Sequence, residues 1–373
     1  MPDPILPATL ILPEKTLQGR GAITGLLPEC ARFGDRGVLL HGNALASSPT
    51  FTTLLRGKPA TIELLTLRHQ GGEPTLAQLS DLLSHARTHR AQWIAGIGGG
   101  SVIDLAKAGA ALIHTTLPPS RYHDGAPLDA PGIPFLAAPT TAGTGSEATI
   151  NSVLTNESTG AKKSIRAPAM MPRVVILDPA LLSTCPPAVI AASGMDALTQ
   201  AIEACTSRHA TWFSNELSLK AMNLIAANLP AVYRNPAAEP AAHLLTGSYL
   251  AGIALSFARL GIVHGLAHPL GSLYHLPHGL VCAACLPPAL ELNRESFGAK
   301  YALMSTAVGG DLRQRVTELS DILGIGTPFA GMPCPAREQI IAETLASGST
   351  KANPKTIARQ DVEWILTRLF APR

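Results

Sequence analysis

A chain of 373 residues exceeds one ordinary hydrophobic core, so two domains are the first expectation. With 46% hydrophobic and 15% charged residues it is too apolar to be disordered, and 29 basic against 26 acidic residues leave a net charge of only +3, scattered without like-charge blocks. A nucleic-acid partner is therefore not expected. Met1-Pro2-Asp3-Pro4 supplies no basic stretch ahead of an apolar run, so a cytoplasmic location with no membrane association is expected. The six cysteines are too dispersed for a disulfide scaffold and read as reduced thiols.

Short apolar runs at 37–40, 62–65, 93–97, 134–137 and 174–177 alternate with candidate helices at 76–89 and 102–113. Strands alternating with helices predict βαβ units and a largely parallel, Rossmann-like sheet. Within this half, Gly98-Gly99-Gly100-Ser101 joins a strand directly to a helix. Successive glycines let backbone N–H groups approach an anion at a positive helix end, which points to a pyrophosphate. A second loop, Pro139-Thr140-Thr141-Ala142-Gly143-Thr144-Gly145-Ser146-Glu147, combines hydroxyls with glycines. It reads equally as phosphate and ribose contacts or as an ordinary capping turn.

After Asp178-Pro179, long Ala/Leu-rich segments with apolar residues three and four apart predict helices. The division is expected near residue 182, giving a dinucleotide-binding domain over 1–182 and an all-helical domain over 183–373. Pro186-Pro187 precedes one helix, Pro287-Pro288 falls near the end of another, and Ser347-Gly348-Ser349 marks a loop.

The helical half carries a dense histidine cluster. His264 and His268 are one turn apart on one face, and His278 follows a Leu-Pro corner that can return it toward them; His275 has no evident place. So many imidazoles in an apolar stretch need polar partners or a cation. Asp196, inside the apolar helix Ser193-Gly194-Met195-Asp196, supplies a carboxylate, with Gln200 one turn further on the same face. Asp178 is an alternative, although Asp-Pro more often makes a turn. Cys282 and Cys285 are weighed as a redox pair or half a zinc site and read instead as core packing. Arg259, the one charge in the apolar approach to His264, is either solvent-facing or a clamp for a carboxylate, phosphonate or sulfonate tail.

GGGSVIDLAKA, PTTAGTGSEAT, the GMDAL helix and HGLAHPLG followed by LPHG, in that order, make the chain resemble the iron-containing (group III) alcohol dehydrogenases along nearly its whole length. The resemblance implies a dehydroquinate synthase-like architecture: an α/β dinucleotide-binding domain, a helical domain, and a divalent metal, iron or zinc, between them. It implies a homodimer that transfers hydride between NAD or NADP and a small alcohol or aldehyde. The metal polarises the substrate oxygen and His268 relays the proton. Metal ligands map onto Asp196, His264 and His278. The family's fourth ligand is a histidine, and its position here is Gln200, whose neutral amide oxygen binds metal more weakly. The implied cofactor contacts are Gly98, Gly99, Gly100, Ser101 and Asp104, then Thr140, Thr141, Thr144 and Ser146, with Lys163 and Gly42. NAD-preferring relatives carry an acidic residue where this chain has Gly42, so NADP is admitted. Asn151 and Leu255 resemble substrate-pocket positions. A metal-free maleylacetate-type reductase and a lyase of the dehydroquinate synthase type remain alternatives.

Overall fold

A computed structural model describes residues 4–372. They form two compact units, one of residues 11–185 and one of residues 186–372 joined by 4–10. The division thus falls three residues beyond the expected boundary, and the first residues group with the helical unit. The cause is main-chain pairing, since the N–H groups of Trp212 and Phe213 donate to the carbonyls of Pro4 (2.7 Å) and Ile5 (3.0 Å).

The first unit contains strands β1 (Lys15–Gln18), β2 (Arg36–Gly42), β3 (Glu63–His69), β4 (Trp93–Gly98), β5 (Phe135–Pro139), β6 (Asn151–Asn156), β7 (Ala161–Arg166) and β8 (Val174–Leu177). Its helices are α1 (Leu26–Ala31), α2 (Pro49–Arg56), α3 (Leu76–Thr88), α4 (Gly100–Leu112) and α5 (Pro119–His123). Six strands make one parallel sheet in the order β1-β8-β5-β4-β2-β3. Alternate residues load its two faces. Val38, Leu40 and Ile94 pack with Leu79, Leu82 and Ala106 on one side, while Leu39, Trp93, Ala95 and Ile97 pack with Leu26 and Phe51 on the other. Burial on both faces is why these strands read as continuous apolar runs. Strand order reverses between β2 and β4, the position at which open α/β sheets bind ligands beyond their strand ends.

The antiparallel hairpin β6–β7 is not foreseen in the sequence reading. It is tied to α4 from inside. The ammonium of the fully buried Lys107 donates to the carbonyls of Ser146 (2.6 Å), Thr149 (3.0 Å) and Asn151 (2.8 Å) and to both hydroxyls. Asp104 accepts from the Ser146 hydroxyl and from Val153 N–H (2.9 Å).

The second unit contains α6 (Pro187–Thr206), α7 (Trp212–Arg234), α8 (Ala241–Ala258), α9 (Ile262–Tyr274) and α10 (His278–Asn293). There follow α11 (Lys300–Val308), α12 (Leu312–Ile322), α13 (Arg337–Ala346), α14 (Gly348–Ala352) and α15 (Arg359–Phe370). Helix α10 runs through Pro287 and Pro288 instead of ending near them, and Ser347 caps α14 where a loop was expected. Among the described residues α8 is long and apolar enough to cross a membrane, but most of it is buried inside this unit, against α6 and α7. Glycine sets one close approach. A Cβ on Gly279 would lie 2.2 Å from the Ala192 carbonyl, so α10 reaches α6 only because position 279 has no side chain.

Beside Lys107, burial pushes the Glu147 carboxyl up to about 7. A raised folded-state value means that its contribution to stability is present below the ordinary carboxylate range and lost as pH rises through about 7. Glu147→Gln should therefore melt above the wild type near neutral pH, by ~1–3 kcal/mol, with the gain shrinking toward pH 4. Thermal unfolding across that range checks this, and a gain independent of pH would refute it.

Candidate active site

Each unit carries one constellation of chemistry-bearing residues. In the α/β unit it lies at the C-terminal ends of β2 and β4. Gly98 is required by space, since a Cβ there would lie 2.5 Å from the Val102 side chain. Gly100 lets the second loop close in, its Cβ position being 2.7 Å from the Thr144 side chain, and Gly99 approaches Thr141 (3.4 Å). The glycine turn and the Thr140–Thr144 loop therefore form one surface around the start of α4. Gly99 at the helix start brings no capping side chain, so the terminal N–H groups are suited to an anionic ligand. Ser101, Thr140 and Thr141 are half-buried and Thr144 is exposed.

Gly42 adjoins this surface. A Cβ there would meet only Val102 (3.8 Å) and Gly98 (3.9 Å) at ordinary contact distance, so space does not demand glycine at this position. Asp104 and Ser146 face each other inside the unit and hold β6 in place, which makes them positioning residues. Asn151 contributes its carbonyl to Lys107. Lys163 is exposed on β7 and pairs with Asp124 (3.0 Å). Asp178 is a buried cap, accepting from Ile23 N–H (3.1 Å) and Ala180 N–H (2.9 Å), and is no metal ligand candidate.

In the helical unit, α6, α9 and α10 bring Asp196, His264, His278 and Cys282 together, one donor atom from each lying within 4.8 Å of all the others. Asp196 Oδ1 is 3.3 Å from His264 Nε2 and 3.8 Å from His278 Nε2. Cys282 Sγ is 3.6 Å from His278 Nε2 and 3.9 Å from His264 Nε2. Gln200 donates from Nε2 to Asp196 Oδ2 (3.1 Å).

Two of these partners escape the sequence reading. Glu203, one helical turn beyond Gln200, accepts from His264 Nδ1 (2.6 Å) and from Val263 N–H (2.7 Å). It thereby caps α9 and fixes the tautomer that leaves the Nε2 lone pair facing the cluster. Cys282 is missed because it was paired with Cys285; the informative spacing is to His278, one turn earlier on α10.

The donor set fits a divalent cation. With Nδ1 protonated, His264 Nε2 and Asp196 Oδ1 face each other at 3.3 Å, an arrangement that needs positive charge between them, from a proton on Nε2 or from a metal ion that replaces it. Electrostatics agrees. Burial by itself would raise the Asp196 carboxyl, but His278 and His264 outweigh it and hold it below its ordinary range. Burial disfavours protonated His264, yet the Glu203 and Asp196 carboxylates beside it raise it well above the usual imidazole range, so without a cation the ring holds on Nε2 the proton that a divalent ion would displace. Burial pushes the Cys282 thiol up to about 12, so displacing its proton takes a cation.

His268, half-buried, lies with its ring centroid 5.4 Å from that of His278, the two rings tilted by 34°. His275 is the left-handed cap that ends α9 (φ 52°) and has no part in the cluster. Leu255 is half-buried on α8 beside Ala254 and Ala258. Arg259 ends α8 with an exposed side chain and φ 64°, ψ −168°, backbone that costs ~1–3 kcal/mol for a residue other than glycine.

Comparison with known proteins covers both units. The family model of iron-containing alcohol dehydrogenase matches residues 13–179, and that of the Fe-containing alcohol dehydrogenase family, C-terminal, matches residues 190–370. Lactaldehyde reductase of Escherichia coli (strain K12) is 33% identical over 80% of this chain and 79% of its own. Sulfoacetaldehyde reductase of Bilophila wadsworthia is 34% identical over 67% of this chain and 65% of its own. The crystal structure of a 1,3-propanediol oxidoreductase superposes with a TM-score of 0.92 at 29% identity, covering 97% of this chain and 99% of that one. Matches that span both the glycine-turn unit and the histidine-cluster unit leave one conclusion: the chain belongs to the iron-containing alcohol dehydrogenase family and is a nicotinamide-linked alcohol dehydrogenase or aldehyde reductase.

Proposed function

We propose that this enzyme interconverts a small primary alcohol and its aldehyde at a divalent metal held by Asp196, His264 and His278. The observation that carries this reading is the convergence of these donors within 4.8 Å, with Glu203 locking His264 in the tautomer that turns Nε2 inward. A divalent ion held by these residues would supply Lewis-acid polarisation of the substrate oxygen, and a nicotinamide cofactor would supply or take up the hydride. The protein's own groups do the rest. Gly98, Gly99, Gly100 and Ser101 offer backbone and hydroxyl donors to the pyrophosphate, with Thr140, Thr141 and Thr144 across the same surface. Asp104, Ser146 and Lys107 fix that surface from beneath. The His268 imidazole, beside His278 and partly open to solvent, carries the proton between substrate oxygen and water.

The finer reading has three parts. Gly42 presents no carboxylate to a 2′-phosphate, so NADPH is accepted alongside NADH. Arg259, held in costly backbone at the end of α8, suits an anionic substrate tail, as the name of the sulfoacetaldehyde reductase relative suggests for that protein. Asn151 and Leu255 complete the substrate contacts, Lys163 those of the cofactor. The protein acts as a cytoplasmic homodimer.

Nicotinamide absorbance followed with lactaldehyde, propionaldehyde and sulfoacetaldehyde tests the reaction, and chelation tests the metal. Activity should fall at least ~100-fold on chelation and return with a divalent ion; full turnover by metal-free protein would favour a maleylacetate-type reductase instead. Gly42→Asp, for which there is room, should shift kcat/KM toward NADH over NADPH by about tenfold or more. An unchanged ratio would place the 2′ position elsewhere. Glu203→Gln should weaken metal retention by ~10–100-fold in chelator competition.

A further inference from the structure

We propose that Cys282 supplies the fourth ligand of the metal centre in place of Gln200, giving an Asp196, His264, His278 and Cys282 set that favours zinc over iron. This rests on the metal-dependent reading above and adds the identity of one ligand.

Geometry is the first support. His278 opens α10 and Cys282 lies one turn later, so both project from one helix face, and that face is held against α6 at Gly279. A tetrahedral ion with bonds of about 2.0–2.3 Å to nitrogen, oxygen and sulfur separates its ligand atoms by roughly 3.3–3.7 Å. The four separations here are 3.3 and 3.8 Å from Asp196 Oδ1 to the two imidazoles and 3.6 and 3.9 Å from Cys282 Sγ to the same atoms. These four edges lie within a few tenths of an ångström of that polyhedron and the other two fall within 4.8 Å, so side-chain movements of up to about 1 Å complete it.

The state of the neighbouring polar atoms is the second support. Asp196 Oδ1 is buried and accepts no hydrogen bond, although it faces the cluster. Gln200 turns its amide nitrogen to Asp196 Oδ2 and so buttresses the carboxylate, while its own Oε1 is buried without a hydrogen-bond partner. With Oδ2 engaged, Asp196 offers the cluster a single oxygen. Cys282 is completely buried, and its sulfur sits against two imidazole nitrogens.

Chemistry gives the metal preference. Imidazole serves iron and zinc alike, whereas thiolate is a soft donor suited to zinc. A thiolate also adds a negative charge that a neutral amide or imidazole would not, so with Asp196 the donor set balances a divalent ion.

Reconstitution of the full-length protein with Co(II) and with Zn(II) tests the proposal independently of turnover. The expected results are a near-ultraviolet thiolate-to-cobalt charge-transfer band and, by X-ray absorption on the zinc form, one sulfur scatterer at about 2.3 Å. Cys282→Ala and Cys282→Ser should each abolish the band and weaken zinc binding more than about tenfold, while Cys285→Ala should keep the band. In an anaerobic mixture of equal Fe(II) and Zn(II), the wild type should fill with zinc, and an iron-filled protein would overturn the preference. Stoichiometric cobalt without the band in the wild type would overturn the ligand assignment while leaving the metal-dependent reading intact. Protein that binds no metal at all would overturn both. Because the wild-type spectrum is decisive alone, the test survives a variant that fails to fold.

Discussion

The helical unit is organised around a buried carboxylate that must be fully satisfied. Glu203 lies on an apolar helix, where an unpaired charge costs several kcal/mol. Its two oxygens are taken by Val263 N–H at the start of α9 and by His264 Nδ1. One residue thus sets where α9 begins, compensates the positive end of that helix, and decides which nitrogen of His264 faces inward. Asn353 supports the same corner by accepting from Ile262 N–H (3.2 Å) and exchanging hydrogen bonds with Asn293 on α10. The start of α9, which presents His264, is therefore fixed by side chains outside the ligand set.

The α/β unit solves a parallel problem with the opposite charge. Lys107 is buried at the centre of α4, and five oxygens from the Ser146–Asn151 segment surround its ammonium. Those acceptors replace water, so the loop cannot leave without stranding a buried cation. The hydroxyl-rich loop is thereby held beside the glycine turn at the start of the same helix. Rigidity at the phosphate-facing surface comes largely from beneath it, with Thr144 accepting from Ser146 N–H (3.3 Å) within the loop itself.

Much of this was legible in the sequence because periodicity and glycine spacing are local. Continuous apolar runs marked the parallel strands, and the three glycines before Ser101 marked the turn. His264 and Asp196 stood out as polar residues in apolar helices. What escaped depended on long-range partners. Cys282 was read against Cys285, its nearest like neighbour, when its relevant companion is His278 four residues earlier. Asp104 and Ser146 sit in motifs that suggest ligand contact, and only the fold shows that they bind each other. The hairpin β6–β7 is short and half-polar, with Lys162, Lys163 and Ser164 on one strand, so no alternation announced it. The prolines of α10 suggested a helix end, yet the helix continues past them to Asn293.

Position 200 shows how a site tolerates the loss of a ligand. A histidine there would place a third imidazole on the cation. Gln200 instead reaches Asp196 Oδ2, and that hydrogen bond restrains the carboxylate in one orientation. In the proposed ligand set this position orients a ligand instead of supplying one, and the fourth donor is a sulfur on α10. Such an exchange requires α10 to lie close enough for its second turn to face the cluster. Gly279 permits that approach by letting the Ala192 carbonyl occupy the space where a side chain would stand. On that proposal a glycine, a glutamine and a cysteine act at one site: Gly279 admits the close approach, Gln200 holds Asp196, and Cys282 completes the ligand set.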